Sequence, residues 1–155
     1  MSDLSQLQQV QNQTTNPTYV GPGTWNVIHT LAFKATSKPK QKEFINTLKL
    51  IIDYFPCEKC RGHAQDYLKN HPVEDYQNDS QGMFIWSWKF HNAVNFRIGK
   101  NQMSWELAYH LYAQLCGHHQ DDNNNKNDAT CSKECENSDS PPKMKKIKKL
   151  TFKSH

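Results

Sequence analysis

The sequence of 155 residues lacks several features that would assign it to common protein classes. It contains no run of about 18 consecutive apolar residues, so we expect no membrane span. Its N-terminus has no basic segment followed by an apolar core and contains no arginine, so we expect neither a secretory signal nor a mitochondrial presequence. Short β-branched runs with a period of two are also missing, and the sequence therefore predicts no β-sheet.

Positive charge is scarce outside one short segment. The formal net charge is +4, yet six lysines and no acidic residue lie within residues 143–153, and the rest of the chain has a net charge of -2. We therefore expect no basic nucleic-acid-binding face on the core. The lysine-rich end is open to three interpretations: a nuclear address, a contact for acidic partners or phosphate, or a solvated tail.

Apolar residues are few and unevenly distributed, with a hydrophobic fraction of 35% and a mean hydropathy of -0.91. Residues 1–19 are almost free of large aliphatic side chains, so we expect a disordered N-terminal segment there. Residues 117–155 predict a flexible C-terminal tail with a CxxxC motif and the lysine-rich end. Residues 20–116 then form one small domain, which a bound cofactor, a dimer interface or a disulfide would help to stabilise.

Apolar residues recur at helical spacing throughout residues 20–116. The predicted helix boundaries are a Thr24 N-cap after the Gly21-Pro22-Gly23 loop, a break at residues 38–40, Pro56 opening the third helix, a Ser80 N-cap, a stop at Gly99 and a Ser104 N-cap. The economical fold class is all-α: a four-helix bundle plus a short fifth helix.

Two cysteines separated by two residues follow a proline in the segment FPCEKC. A helix starting at Pro56 puts Cys57 and Cys60 in its first turn, where free N–H groups and the helix dipole stabilise a thiolate and the spacing permits a disulfide. A zinc site would need His63 and distant tail cysteines as further ligands. A thioredoxin-like pair would follow a buried strand. The pattern favours a redox pair; a zinc-binding helical interaction module and a helical adaptor with a lysine tail are the alternatives.

A second group of residues combines aromatic rings with hydrogen-bonding side chains. Its members are Trp25, His29, Trp88, His91, Asn92, Asn95, Lys100 and Trp105. Helical spacing places the residues from 88 to 95 on one stripe, and buried polar groups need partners. One interpretation is a core histidine bonded to nearby loops. Taken together, the group favours a pocket for a flat heteroaromatic ring with a phosphate-bearing tail.

The segments GPGTWNVIH, FPCEKC and HNAVNFRIGK, in this order, resemble the Erv/ALR family of FAD-linked sulfhydryl oxidases over about residues 20–115. The resemblance implies a four-helix bundle with a short fifth helix, usually a homodimer, with FAD at the mouth of the bundle. It implies that incoming thiols attack Cys57 and that Cys60 lies nearer the flavin. The cofactor-binding residues that it implies are Gly21, Trp25, His29, His63, His91, Asn92, Asn95, Lys100 and Trp105.

The resemblance also implies a reaction and its partners. A CxxC disulfide would oxidise protein thiol substrates, which could include a thioredoxin-like carrier, and pass electrons to FAD and then to O2, giving hydrogen peroxide. No metal is expected. The absence of a signal and the Asn/Lys-rich tail favour a late protein of a large DNA virus, in the host cytoplasm or the virion. The mitochondrial intermembrane space is the alternative location.

Three features depart from the family pattern. Cys131 and Cys135 are either a shuttle disulfide that delivers electrons to the first pair or two incidental thiols, and their spacing is unusual for a shuttle. Cys116 has no evident disulfide partner in the core, because residues 80–100 contain no cysteine. Pro22 stands where relatives often place an arginine, so one cofactor contact is expected to be lost.

Overall fold

The computed structural model describes residues 3–114, and all regular structure in that range is helical. The helices are α1 (Asp3–Thr15), α2 (Pro17–Lys34), α3 (Lys38–Asp53), α4 (Glu58–Asn70), α5 (Gly82–Arg97) and α6 (Trp105–Ala113), with a 3-10 turn at Val73–Tyr76. The predicted all-α class is confirmed: α2–α5 are the four longer helices of the bundle and α6 is the short fifth. Cys116, Cys131, Cys135 and the lysine-rich end lie outside the described residues.

Helix α5 lies at the centre of the core. Its residues 82–87 are all buried, and Phe90 is buried one turn later. A helix that is buried on all sides must be surrounded by other elements. Helix α2 packs against α5, α3 and α6, and the 3-10 turn packs against α5. The core that these helices share is dominated by aromatic and large aliphatic side chains.

The N-terminal segment differs from its prediction, because residues that were expected to be disordered form α1. Each α1 side chain from residue 4 to residue 15 is exposed, so this helix adds nothing to the core. The low hydrophobicity of this segment therefore predicted correctly that it adds no side chains to the core. It did not exclude a helix, because leucine and glutamine favour helical backbone without burial.

The start of α2 also differs from its prediction. The Asn16 side chain caps the helix by accepting a hydrogen bond from the Thr18 N–H at 2.9 Å, so the observed cap lies eight residues before the predicted cap at Thr24. Pro22 lies inside the helix. The Thr24 hydroxyl instead donates to the Val20 carbonyl at 2.8 Å, within the helix. The extra turns extend α2 alongside the cavity described below.

Of the remaining predicted boundaries, the last two agree with the structure, whereas α4 begins at Glu58, two residues after Pro56. Ser104 caps α6, its hydroxyl oxygen accepting from the Leu107 N–H at 3.2 Å, and Gly99 takes a φ of 70° just after α5. The break at residues 38–40 is instead the first turn of α3, and Asp79 rather than Ser80 accepts from the N–H of residue 81 before α5. None of the described helices is long and apolar enough to cross a bilayer.

Candidate functional site

A cavity of about 650 Å³ lies between the helices of the bundle. Its volume falls within the roughly 300–1,000 Å³ range of small-molecule and cofactor sites. Six sequence-predicted residues line it together: Gly21, Trp25, Cys60, His91, Asn95 and Lys100. They come from α2, α4, α5 and the segment after α5, so residues almost 80 positions apart in the chain meet at one site.

A disulfide between Cys57 and Cys60 forms part of the cavity wall, with Cα atoms 5.2 Å apart. Cys57 is the N-cap of α4, and its Sγ accepts from the Cys60 N–H at 3.3 Å. Cys60 lines the cavity, whereas Cys57 is not among the lining residues. The two cysteines therefore have different surroundings, as a disulfide relay between a cavity and the outside requires.

The turn that carries the disulfide is held by Arg61, which sequence reasoning did not single out. Its guanidinium donates to the Phe55 carbonyl at 2.6 Å, across Pro56 and the first cysteine. Phe55 also lines the cavity. The hydrogen bond thus ties the residues before the disulfide to those after it. A basic residue directly following the CxxC motif was the signal available in the sequence.

Trp25, His29 and His91 form a stacked cluster beside the cavity. The rings of Trp25 and His91 are nearly parallel, with an angle of 5° and a centroid separation of 4.1 Å. The Nε2 atom of His29 lies 2.8 Å from Nδ1 of His91. Burial, followed by the neighbouring His91, lowers the pKa of His29 to about 3. Burial, followed by the charge of Lys100, lowers the pKa of His91 to about 4, so both rings are neutral near pH 7.

Ser87 completes this cluster and was missed in the sequence. Its Oγ lies 3.0 Å from Nδ1 of His29 and donates to the Phe84 carbonyl at 2.9 Å. Ser87 is fully buried in α5, four residues before His91. A single hydroxyl within the apolar run FIWSW, one turn before a histidine, was the signal that could have identified it.

A second cavity of about 250 Å³ shares His91 and Asn95 with the first and is also lined by His29 and Asn92. The Asn92 side chain donates to the Met103 carbonyl and accepts from the Met103 N–H, both at 2.9 Å. Both ends of its amide are therefore occupied in anchoring the segment before α6. The shared wall makes the two cavities neighbouring chambers of one site.

Besides Cys57, two predicted site residues, Trp105 and His63, line neither cavity. Trp105 is buried in the core, where its ring packs against those of Phe84 and Trp88, and its Nε1 has no hydrogen-bond partner among the described residues. His63 lies on α4, half-buried, one turn after Cys60.

The charged side chains of the described residues that line the larger cavity are all positive. Among residues 3–114, Arg97 and Lys100 line it, and no aspartate or glutamate does. Burial lowers the pKa of Arg97, which reflects a guanidinium partly removed from water. Two cations without a lining carboxylate are suited to an anionic ligand.

The zinc interpretation finds no arrangement of ligands in this region. Among residues 3–114, no group of three or more His, Cys, Asp or Glu side chains is placed to hold a metal ion. Cys57 and Cys60, its two central candidates, are joined to each other.

Comparison with known proteins agrees with the site geometry. The sequence model of the Erv1 / Alr family matches residues 22–137. The FAD-linked sulfhydryl oxidase of African swine fever virus is 33% identical over 97 residues, which cover 61% of this chain and 80% of that protein. The FAD-linked sulfhydryl oxidase ERV1 of Arabidopsis thaliana is 35% identical over 85 residues, which cover 52% of this chain and 43% of that protein. The chain belongs to the Erv1 / Alr family.

Proposed function

We propose that this protein is an FAD-dependent sulfhydryl oxidase that forms disulfides in protein substrates. The observation that carries the proposal is the Cys57–Cys60 disulfide in the wall of a cavity of cofactor size, with only Cys60 lining that cavity. The viral and plant relatives, both named FAD-linked sulfhydryl oxidases, support the same reaction.

The residues around the cavity fit FAD. Trp25 and His91 offer flat surfaces for a heteroaromatic ring, while Arg97 and Lys100 offer positive charge for the diphosphate. Gly21 is buried in the wall, and a Cβ there would meet nothing within 4 Å, so any side chain would take up cavity space. The smaller neighbouring cavity, where Asn95 and His91 are shared, could hold a second part of a dinucleotide.

The disulfide performs the first half of the reaction by thiol–disulfide exchange. A substrate thiolate attacks Cys57 Sγ, forming a mixed disulfide and releasing Cys60 as a thiolate. A second substrate thiolate attacks the substrate sulfur of this bond, which releases the oxidised substrate and leaves both enzyme cysteines reduced. The first turn of α4 favours both thiolates, through its free N–H groups and dipole.

When bound, FAD would supply the two-electron chemistry of the second half, in which the reduced cysteine pair returns to the disulfide and O2 is reduced to hydrogen peroxide. The net reaction converts one dithiol and one O2 into one disulfide and one H2O2. Cys60 is the cysteine that contacts the cofactor chamber, and Cys57 is the one that exchanges with substrate.

We extend the proposal to the partners and the location. Val27 and Leu31, one turn apart on α2, are exposed and support a homodimer through this helix. The viral relative supports a viral protein that acts in the host cytoplasm or virion. One proposed class of substrate is a thioredoxin-like carrier. The tail cysteines Cys131 and Cys135 are proposed to shuttle electrons from the substrate to the Cys57–Cys60 pair.

Colour and oxygen consumption test the proposed function. The purified protein is expected to be yellow, with flavin absorption, no stoichiometric zinc, and oxygen uptake when dithiothreitol is added. Cys57→Ser and Cys60→Ser are each expected to abolish uptake while FAD stays bound, and Cys116→Ser serves as the matched control. A colourless protein that carries zinc would refute the proposal in favour of the zinc-binding module.

A further inference from the structure

Ser87, His29 and His91 form one continuous chain of hydrogen bonds that runs from the core to the cavity. Ser87 Oγ and His29 Nδ1 are 3.0 Å apart, and His29 Nε2 and His91 Nδ1 are 2.8 Å apart. Ser87 and His29 are 0% and 5% exposed, so no bulk water competes for these bonds. Of these three residues, only His91 lines the larger cavity, where its ring stacks on Trp25.

The Phe84 carbonyl sets the position of the first hydrogen. A carbonyl oxygen can only accept, and it lies 2.9 Å from Ser87 Oγ, so the Ser87 hydrogen points to it. The Ser87 oxygen must then accept from an N–H on His29 Nδ1. A neutral imidazole carries only one N–H, so His29 Nε2 accepts in turn from an N–H on His91 Nδ1.

The opposite direction of the chain is unfavourable. It would require the Ser87 hydrogen to point to His29, which leaves Ser87 Oγ and the Phe84 carbonyl oxygen 2.9 Å apart with no hydrogen between them. Two facing oxygen lone pairs in a buried site repel each other and have no water to compensate. The direction from His91 through His29 to Ser87 places a hydrogen in every contact.

We propose that Ser87 is a positioning residue that, through His29, holds His91 with its hydrogen on Nδ1, so that Nε2 accepts a hydrogen bond from an N–H or O–H group of the bound flavin cofactor. Within residues 3–114, His91 hydrogen-bonds through Nδ1, and its Nε2 has no hydrogen-bond partner. FAD carries suitable donors in its ring system, its amino group and its hydroxyls. The cofactor contact rests on the proposed function, whereas the direction of the chain rests on the protein alone.

Nitrogen NMR of ¹⁵N-histidine-labelled, FAD-loaded protein tests this inference, since it distinguishes protonated from unprotonated ring nitrogens. In the unsubstituted protein, His91 is expected to be protonated at Nδ1 and unprotonated at Nε2. The ¹⁵N signals of His91 are assigned by their loss in His91→Gln. Ser87→Ala removes the acceptor for His29, so the His91 hydrogen is expected to move toward Nε2. The dissociation constant for FAD is expected to rise about tenfold, the order of effect when one buried hydrogen bond is lost.

Ser104→Ala is the matched control, because it also removes a hydroxyl that bonds to backbone, at the N-cap of α6 and outside the chain. It is expected to leave the His91 tautomer unchanged. Protonation of His91 at Nε2 in the unsubstituted protein would overturn the inference. So would Ser87→Ala and Ser104→Ala weakening FAD equally with no change of tautomer, since Ser87 would then be merely structural. A protein without bound flavin would refute the proposed function and the cofactor contact, while its spectrum would still decide the direction of the chain.

Discussion

His29 and His91 are held in the neutral form by their surroundings, which links the protonation of single side chains to the stability of the whole fold. Their pKa values, lowered to about 3 and about 4, lie well below the 6.5 of an unperturbed histidine. Between pH 6.5 and about 4, the unfolded chain binds protons on these two imidazoles, whereas the folded protein leaves them unprotonated. The free energy of unfolding therefore falls as the pH decreases through this window.

This linkage predicts acid sensitivity well above the range in which carboxylates titrate. Between pH 6.5 and 5, His29 alone is expected to lower the free energy of unfolding by up to about 1.4 kcal/mol per pH unit. Urea denaturation followed by circular dichroism at several pH values measures this slope. His29→Gln, which cannot be protonated, is expected to flatten it. An identical slope in both proteins would contradict the neutral buried state of His29.

At the scale of single residues, the sequence indicates candidate site residues where their chemistry follows from residue type and short spacing. The Cys57 and Cys60 pair, and the Trp and His pair on α2, could be identified because their members are at most four residues apart. The bond between His29 and Ser87 joins residues 58 positions apart, so no local pattern encodes it. The sequence does not distinguish two environments for Trp105, because one buried tryptophan ring packs equally well in a core or a cofactor pocket.

The helices themselves show when local signals are sufficient. Ser104 was predicted correctly as an N-cap because its hydroxyl bonds to a residue three positions later. Thr24 was predicted incorrectly, because the loop-like Gly21-Pro22-Gly23 segment competed with an earlier cap at Asn16. A proline lowers the preference for helix without abolishing it when neighbouring helices support the chain. Packing along α2 decided between the two starts, and packing cannot be derived from a short segment.

The junction between the 3-10 turn and α5 leads to a prediction about two glycines. Gly82 is buried at the start of α5, and a Cβ there would overlap the Tyr76 carbonyl. Gly82→Ala is therefore expected to lower the free energy of unfolding by about 1–3 kcal/mol, as overpacking does.

Gly62, in the middle of α4, provides the matched control. A Cβ there would meet nothing within 4 Å. Gly62→Ala is expected to raise the free energy of unfolding by about 0.5–1 kcal/mol, because alanine favours the helix. Urea denaturation of both variants measures the difference, and a loss of stability in both would show that crowding at Gly82 is not the cause.

At the scale of the whole molecule, the described residues contain the Cys57–Cys60 disulfide and the cavity beside it, while the tail cysteines lie beyond the described residues. A substrate protein that reaches Cys57 directly would not need the tail. A shuttle pair would deliver electrons to Cys57 from within the same chain, at a high effective concentration.

Replacing both tail cysteines separates these two routes. Cys131→Ser with Cys135→Ser is expected to slow oxidation of a reduced protein substrate by at least roughly tenfold while sparing that of dithiothreitol, which is small enough to reach Cys57. Oxygen consumption with each substrate measures the effect, with Cys116→Ser as the control. Unchanged rates on both substrates would show that the tail pair is incidental.

The different surroundings of the two cysteines have a consequence for how specificity can change. Cys60 lines the cavity and Cys57 does not. In the proposed mechanism, electrons cross this wall while the atoms of the substrate stay on one side and those of the cofactor on the other. Under that mechanism, substitutions on the outer surface around Cys57 are expected to alter which proteins are oxidised without disturbing flavin binding, and substitutions inside the cavity are expected to tune the flavin without altering the choice of substrate.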